Sequence, residues 1–202
     1  INVLKSKGAI HYLTEAELVE NTNYLKPRIK KKKVIVFIAG GPNKYYNFND
    51  KIIEKIFIKT KKNFINQGYQ LIFIPSMRTP RRTVDQAQDF FDDDQIIISD
   101  IDKKAYLSAL SLADHIIVTC DSTSMISEAA MTGRPIYVAQ MPTIKKNIRF
   151  QKFFELFKSL DIIKNLEDKV EEWNYKKLNE THRISGYIAV SYTHLRAHET
   201  IA

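Results

Sequence analysis

The polar segment that follows Cys120 is the part of the sequence best suited to chemistry. Asp121, Ser122 and Ser124 supply side-chain oxygens at the start of a predicted helix, where free backbone N–H groups and the helix dipole favour an anion. Glu128 follows about one helical turn later and could reach back toward a ligand at that end. These residue types in this order predict a place where a nucleotide could sit.

Two strands and a helix must hold this polar loop in place. The apolar run 115–120 that precedes it is short and rich in β-branched residues, as expected for a strand buried on both faces of a parallel sheet. Gly133 is expected to end the helix in the left-handed conformation, and Pro135 comes directly before the next apolar run. The segment therefore predicts a strand, a loop, a helix, a turn and a second strand.

The same alternation of strand-like and helix-like segments runs from Lys33 onward. This alternation predicts an α/β fold, a Rossmann-like doubly wound parallel sheet. The other strands are predicted at 34–39, 71–74 and 95–98, and helices at 14–20, from Asn49 to Gly68, from Arg82 to Phe91, and after Asp102.

Two further loops are predicted to end at the same rim of this sheet. Gly40, Gly41 and Asn43 follow the first strand, and Ser76 and Arg78 follow the second. Ligands of open α/β sheets bind at the carboxyl ends of the strands. The glycines would let the chain approach a ligand closely, and the arginine could pair with a phosphate. The glycine loop matches neither a dinucleotide fingerprint nor a P-loop, so NAD binding and ATP hydrolysis fit poorly.

Most of these residues also have a purely structural interpretation. Ser122 and Ser124 could serve only as helix N-caps. Glu128 could pair with a lysine on a solvated helix face, and Gly40 with Gly41 could form only a tight turn. Their convergence on one rim favours ligand binding over these alternatives.

Composition limits the classes of protein that fit. The chain has 202 residues, of which 44% are hydrophobic, enough for a substantial core. It contains no apolar stretch of about 18 residues and no signal-like N-terminus, so a cytoplasmic location is expected. The single cysteine, Cys120, excludes an internal disulfide, and no metal site is predicted.

The net charge of +8 leaves three interpretations open. The lysine-rich run 28–33 could bind nucleic acid, but no aromatic-rich RNA-binding signature accompanies it. A solvated linker is the favoured interpretation, so no specific nucleic-acid partner is expected. Attraction to an anionic membrane surface, and hence a membrane-peripheral location, is a weaker alternative.

The ends of the chain differ from its middle. Residues 1–32 are predicted to be the end of a preceding domain and a linker, with Thr14 and Glu17 at capping-box spacing. Residues 33–160 form the predicted Rossmann-like domain, and 161–190 a C-terminal helical segment. Residues 191–202 resemble a translated sequencing adapter, so the zinc-like spacing of His194 and His198 within them is set aside.

Several short motifs together resemble the family of plant mitochondrial-fission (elongated-mitochondria) proteins, whose many bacterial members are uncharacterised. The motifs are Gly8-Ala9-Ile10-His11, Phe37–Gly41, Ser76–Pro80, Ala113-Asp114, Asp121–Met125 with Glu128-Ala129, Trp173-Asn-Tyr175 and Asn179–Thr181. The resemblance covers most of residues 1–188. This family is in turn similar to GT-B-type glycosyltransferases, which have two Rossmann-like domains with a cleft between them.

The resemblance implies that this chain is the C-terminal half of a GT-B-type protein and that the N-terminal half is missing from it. The implied donor is a nucleoside-diphosphate sugar, with no other cofactor. The backbone from Ser122 to Met125 would hold the diphosphate, and Glu128 would accept hydrogen bonds from the ribose hydroxyls. Arg78 would neutralise the leaving nucleoside diphosphate.

Two functions remain open on this basis. The chain is either part of a glycosyltransferase or a non-catalytic GT-B-like interaction module. A catalytic base would come from the missing half, so no catalytic residue is assigned among His11, His182 and the other residues here. Asp121 is a binding residue or an acid–base group, and His115 is expected to be structural.

Overall fold

A computed structural model describes residues 4–167 and 169–199, with side chains described as far as residue 189. The predicted non-native tail, residues 191–202, lies where the structure does not describe side chains, and so do its two histidines. No described helix combines the length and the apolar character needed to cross a bilayer.

The described residues form one mostly buried parallel sheet with helices around it. Its strands are β1 (Lys33–Ala39), β2 (Tyr69–Pro75), β3 (Ile96–Ile97), β4 (His115–Thr119), β5 (Ile136–Ala139) and β6 (Ile163–Asn165). The helices are α1 (Glu15–Asn21), α2 (Asp50–Asn63), α3 (Arg81–Phe90), α4 (Lys103–Leu112), α5 (Thr123–Ala129), α6 (Ile148–Ser159) and α7 (Glu180–Glu199).

The strand order is β3-β2-β1-β4-β5-β6, and every neighbouring pair is parallel. The order reverses between β1 and β4, because the chain first adds strands on one side of β1 and then on the other. This arrangement confirms the predicted Rossmann-like, doubly wound α/β fold. It also places a topological switch point, where ligands of such sheets bind, between the ends of β1 and β4.

The core forms because the central strands are continuous apolar runs covered on both faces. In β1 all residues after Lys33 are buried, and β2 and β4 are buried throughout. On one face, Phe37 and Phe73 stack at 5.6 Å between ring centroids, and Phe57 of α2 packs edge-on against both. Such aromatic pairs contribute about 0.5–1.5 kcal/mol each beyond the area they bury.

Local capping signals were sufficient to place several helix ends. Thr14 and Glu17 form the predicted capping box of α1. The Asp102 carboxylate accepts a hydrogen bond from the Ala105 N–H at 3.0 Å, as expected for the N-cap of α4. Gly133, with φ of 73°, ends the turn after α5 in the left-handed conformation that was predicted for it.

The C-terminal segment differs from the prediction of a helical region over 161–190. It contains strand β6 and then an irregular stretch, and its helix α7 begins only at Glu180. The irregular stretch is held by hydrogen bonds between side chains and backbone: the Trp173 indole donates to the Asp161 carbonyl at 2.7 Å, and the Tyr137 hydroxyl accepts from the Glu171 N–H at 2.8 Å. Such long-range bonds leave no periodic pattern in the sequence.

The segment before β1 also packs on the sheet unit. Leu18 of α1 and Leu25 are buried in the common core, and the Leu25 N–H donates to the Ser108 hydroxyl of α4 at 2.9 Å. The division of the chain into domains stays a prediction.

Candidate functional site

The three predicted loops do meet at the carboxyl edge of the sheet. The Gly40 N–H, after β1, donates to the Thr119 hydroxyl at the end of β4 at 2.7 Å. The Ser76 N–H, after β2, donates to the Ala39 carbonyl at 3.1 Å. The parallel pairing of β1 with β2 and β4 makes this convergence unavoidable, because all three strands end at one edge.

An ion pair between a buried carboxylate and a half-exposed arginine lies at this edge. The Asp121 side chain is 0% exposed, and its Oδ2 accepts from Arg78 Nη2 at 2.6 Å and from the Gly41 N–H at 3.1 Å. Asp121 Oδ1 is buried and has no hydrogen-bond partner among the residues that the structure describes. Arg78 is 43% exposed, so one side of its guanidinium group is held by the buried carboxylate while the rest of the side chain lines the surface.

The two glycines after β1 have a packing reason to be glycine. A Cβ on Gly40 would overlap the Asp121 carboxylate, and a Cβ on Gly41 would overlap the Arg78 carbonyl. Their φ angles are not positive, so the requirement comes from close approach rather than from a left-handed backbone. Gly40 and Gly41 therefore lie close to Asp121 and Arg78, the two partners of the ion pair.

Asn43 and Ser76 connect the loops to each other. Asn43 donates through Nδ2 to the Asp121 carbonyl at 3.1 Å, while its Oδ1 accepts from the backbone of Tyr45 and Tyr46. The Ser76 hydroxyl lies 3.1 Å from the Thr79 hydroxyl, which in turn donates to the β1 loop. Asn43 and the Ser76 backbone thus use their polar groups to fix the shape of the rim.

The helix after Asp121 is short, with seven residues in α5. The Ser122 hydroxyl accepts from the Met125 N–H at 3.4 Å, which is the N-cap role given as its structural alternative. Ser124 is exposed on the first turn of the helix. Ser122 and Met125, but not Ser124, line the groove described next.

A groove of about 440 Å³ opens at the rim between the β2 loop, the start of α4 and α5. Its walls are largely apolar. The residues that line it are Ile38, Ile74, Pro75, Ser76, Met77, Arg78, Ile101, Asp102, Lys103, Tyr106, Ser122, Met125 and Glu128. Five of the ten predicted site residues line the groove, while Gly40, Gly41, Asn43 and Asp121 support it from beneath.

Glu128 is held inside this groove by a tyrosine that the sequence analysis missed. The Tyr106 hydroxyl donates to Glu128 Oε2 at 2.6 Å. Burial, together with the neighbouring Glu128 carboxylate, raises the pKa of Tyr106 well above its ordinary value, so the phenol stays protonated and keeps donating. The structural alternative for Glu128 was an ion pair with a lysine. Within the described residues Glu128 forms no ion pair.

His11, His115 and His182, the histidines whose side chains the structure describes, do not line this groove. His115 begins β4 and is fully buried, with its Nε2 3.0 Å from the Glu171 carbonyl and aromatic rings around it, which agrees with the expected structural role. His11 and His182 line a separate groove with Thr181. In the described ranges, no three His, Cys, Asp or Glu side chains gather as a metal ion would require.

The fold and the groove together define a class: a Rossmann-like α/β unit with a groove at its topological switch point. The profile of the family described as Mitochondrial fission ELM1 matches residues 1–192, so the chain belongs to this family. An uncharacterized protein of Rickettsia prowazekii (strain Madrid E) is 27% identical over 195 residues, which cover 93% of this chain and 55% of that protein. The chain spans about half the length of this relative.

The solved structures that are similar to this chain include an epimerase and a heptosyltransferase. UDP-GlcNAc 2-epimerase from Neisseria meningitidis, bound to UDP-GlcNAc, is 15% identical with a TM-score of 0.45, and the match covers 87% of this chain and 44% of the epimerase. ADP-heptose LPS heptosyltransferase II of E. coli is 12% identical with a TM-score of 0.43, over 64% of this chain and 38% of the enzyme. At these identities the likeness concerns the fold alone.

Proposed function

We propose that this chain is the nucleotide-sugar-binding half of a GT-B-like, glycosyltransferase-type protein. The observation that carries the proposal is Glu128, a carboxylate fixed by the Tyr106 hydroxyl inside an apolar groove at the switch point. A carboxylate in this setting can accept two hydrogen bonds from the vicinal hydroxyls of a ribose. Family membership is consistent with the proposal but does not by itself assign a ligand.

The walls of the groove fit the remainder of a nucleotide. Ile101, Met125 and Pro75 offer apolar surface against which a base can pack. Arg78 and Lys103 bring positive charge to the same groove, although Asp121 and Glu17 respectively already pair with them. The proposal therefore assigns most of the affinity to the nucleoside and a smaller part to the diphosphate.

One observation favours the non-catalytic alternative, an interaction module that is peripheral to a membrane or bound to a protein. Met77 is 90% exposed at the mouth of the groove, and Ile101 beside it is also exposed. Exposed apolar side chains beside a groove are a common feature of protein-binding surfaces. A protein partner seated there would cover both side chains.

The test is ligand-observed NMR on the 202-residue chain with UDP, GDP, CMP, ADP and dTDP. Selective binding of one nucleotide is expected, and Glu128→Ala should weaken it by about tenfold or more, since a charge-assisted hydrogen bond contributes about 1.5–3 kcal/mol. Glu128→Gln keeps an acceptor for Tyr106 and should have a smaller effect. Glu20→Ala, which removes an exposed carboxylate from α1, is the matched control.

Two results would contradict the proposal. Binding that Glu128→Ala leaves unchanged would place the nucleotide elsewhere. A folded chain that binds none of the five nucleotides would favour the interaction module.

A further inference from the structure

A second groove lies on the other side of the first turn of α5, and it has a different character. It measures about 650 Å³ and is formed by the N-terminal segment, the β1 loop, and helices α5 and α6. We call it the basic groove. The residues that line it are Ser6, Lys7, Gly8, Ala9, Tyr45, Thr123, Asn147, Arg149, Phe150, Lys152, Phe153 and Leu156.

Two of the cations in the basic groove, Arg149 and Lys152, have no carboxylate partner among the described residues. From residue 129 to residue 154 the sequence contains five Lys or Arg residues and no Asp or Glu. Lys7 also lines the groove, but its charge lies near the Glu180 carboxylate and helps to lower the pKa of that group. In the first groove, by contrast, both cations already have carboxylate partners. The basic groove is therefore the better site for a group with strong negative charge.

The same groove has a continuous apolar wall. Tyr45 and Phe150 pack with ring centroids 5.4 Å apart, and Phe153 contacts Phe157 further along α6. Just outside the groove, Ile144 and Ile148 are 65% and 67% exposed. A small free anion would leave this apolar surface unused, and an uncharged apolar chain would leave the cations unused.

The position of the basic groove relates it to the proposed nucleotide site. Thr123 lines the basic groove, and its neighbour Ser122 lines the first groove, so the two grooves flank one turn of the chain. A ligand in each would bring their ends together over the start of α5. A two-substrate protein needs this arrangement of a donor and a second substrate.

The geometry points to the basic groove as the binding site for a second substrate, an amphiphile that joins a phosphate group to an apolar chain. Arg149 and Lys152 hold the phosphate, and Tyr45, Phe150 and Phe153 pack against the chain. The assignment of this ligand as a second substrate rests on the proposed function, whereas its binding does not.

Decyl phosphate, kept below its micelle concentration, tests this site by isothermal titration calorimetry on the 202-residue chain without nucleotide. It should bind about tenfold or more tightly than inorganic phosphate and than decyl maltoside, because only it uses both the cations and the apolar wall. Arg149→Gln with Lys152→Gln should reduce its affinity by about tenfold. Lys51→Gln with Lys55→Gln removes two exposed cations from α2 and is the matched control.

The other outcomes overturn the proposal. Equal affinity for decyl phosphate and decyl maltoside would show an apolar surface only, and equal affinity for decyl phosphate and inorganic phosphate would show a simple anion site. Binding to vesicles of phosphatidylglycerol without binding of decyl phosphate would show a membrane contact rather than a site. No nucleotide enters this experiment, so its failure is separate from failure of the nucleotide proposal.

Discussion

The guanidinium group of Arg78 donates to the buried carboxylate of Asp121 across 2.6 Å, and this pair joins the loop after β2 to the loop after β4. The two partners are not equivalent, because Asp121 is fully buried and Arg78 is about half exposed. Removing the arginine leaves a charge in the interior, whereas removing the acid leaves a cation that can turn to water. The rim of the site therefore depends more on Arg78 for stability than on Asp121.

Substitution of each partner should show this asymmetry. Arg78→Met is expected to lower the free energy of unfolding by about 3 kcal/mol, and Asp121→Asn by at least about 1 kcal/mol less. The double variant should lose less unfolding free energy than the two single variants lose together, and the difference should be about 1 kcal/mol or more. Urea unfolding followed by circular dichroism measures all three values, and equal costs for the two single variants would argue against the asymmetry.

Gly41 should tolerate no side chain. Gly41→Ala would drive a methyl group into the Arg78 carbonyl, so a loss of about 2 kcal/mol or more in unfolding free energy is expected, with poor refolding as the severe outcome. Gly186→Ala on α7 is the matched control, since a Cβ there meets no neighbour and alanine favours the helix. If Gly41→Ala unfolded at the same midpoint as the wild type, the loop would have space for a methyl group, contrary to the structure.

Cys120 should be unreactive until the protein unfolds. It is fully buried, and burial raises the pKa of its thiol to about 12, so almost no thiolate exists at neutral pH. Modification by a thiol reagent in native buffer is expected to follow the global unfolding rate, and to be fast in concentrated guanidinium chloride. Labelling within minutes in native buffer would contradict this burial.

The sequence was sufficient to predict the sheet because the relevant signals are local. The run from Val34 to Ala39 has no polar residue, which is typical of a strand covered on both faces, and Asp102 sits at the start of its helix as an N-cap. The convergence of the loops at the rim could be predicted from these elements, because the carboxyl ends of parallel strands lie at one edge of the sheet. Ser76 and Arg78, which were predicted at this rim, line the groove in the structure.

The contacts that shape the site were not predictable because they join distant parts of the chain. Tyr106 is 22 residues from Glu128, and Arg78 is 43 residues from Asp121, distances at which no periodic pattern operates. Tyr106 could have been found from its position, because it lies one helical turn after the N-cap Asp102, on a helix that begins near the rim. Strand β6 was missed because its buried apolar residues are too few to distinguish a strand from a helix.

The Glu180 carboxylate links the N-terminal segment to α7 and should make stability depend on pH. It is buried, accepts from the Lys7 N–H at 2.8 Å, and forms two hydrogen bonds with the Arg183 guanidinium at 2.7 and 2.9 Å. The Arg183 hydrogen bonds hold the pKa of Glu180 below its ordinary value of 4.5 in the folded protein, although burial opposes them. Its stabilising effect is therefore complete above the unfolded pKa and is lost as the pH falls through the lower, folded pKa.

Glu180→Gln should reveal this dependence. At pH 7 the variant is expected to be about 1–3 kcal/mol less stable than the wild type, because a charged hydrogen-bond acceptor is replaced by a neutral one. The difference should shrink as the pH is lowered below about 4.5, since the wild-type carboxylate is then protonated on unfolding and finally in the native state as well. Urea titrations at several pH values measure it, with Glu20→Gln, an exposed carboxylate on α1, as the control. A difference between wild type and Glu180→Gln that stays constant from pH 7 down to the acid limit would show that the side chain acts through packing and not through its charge.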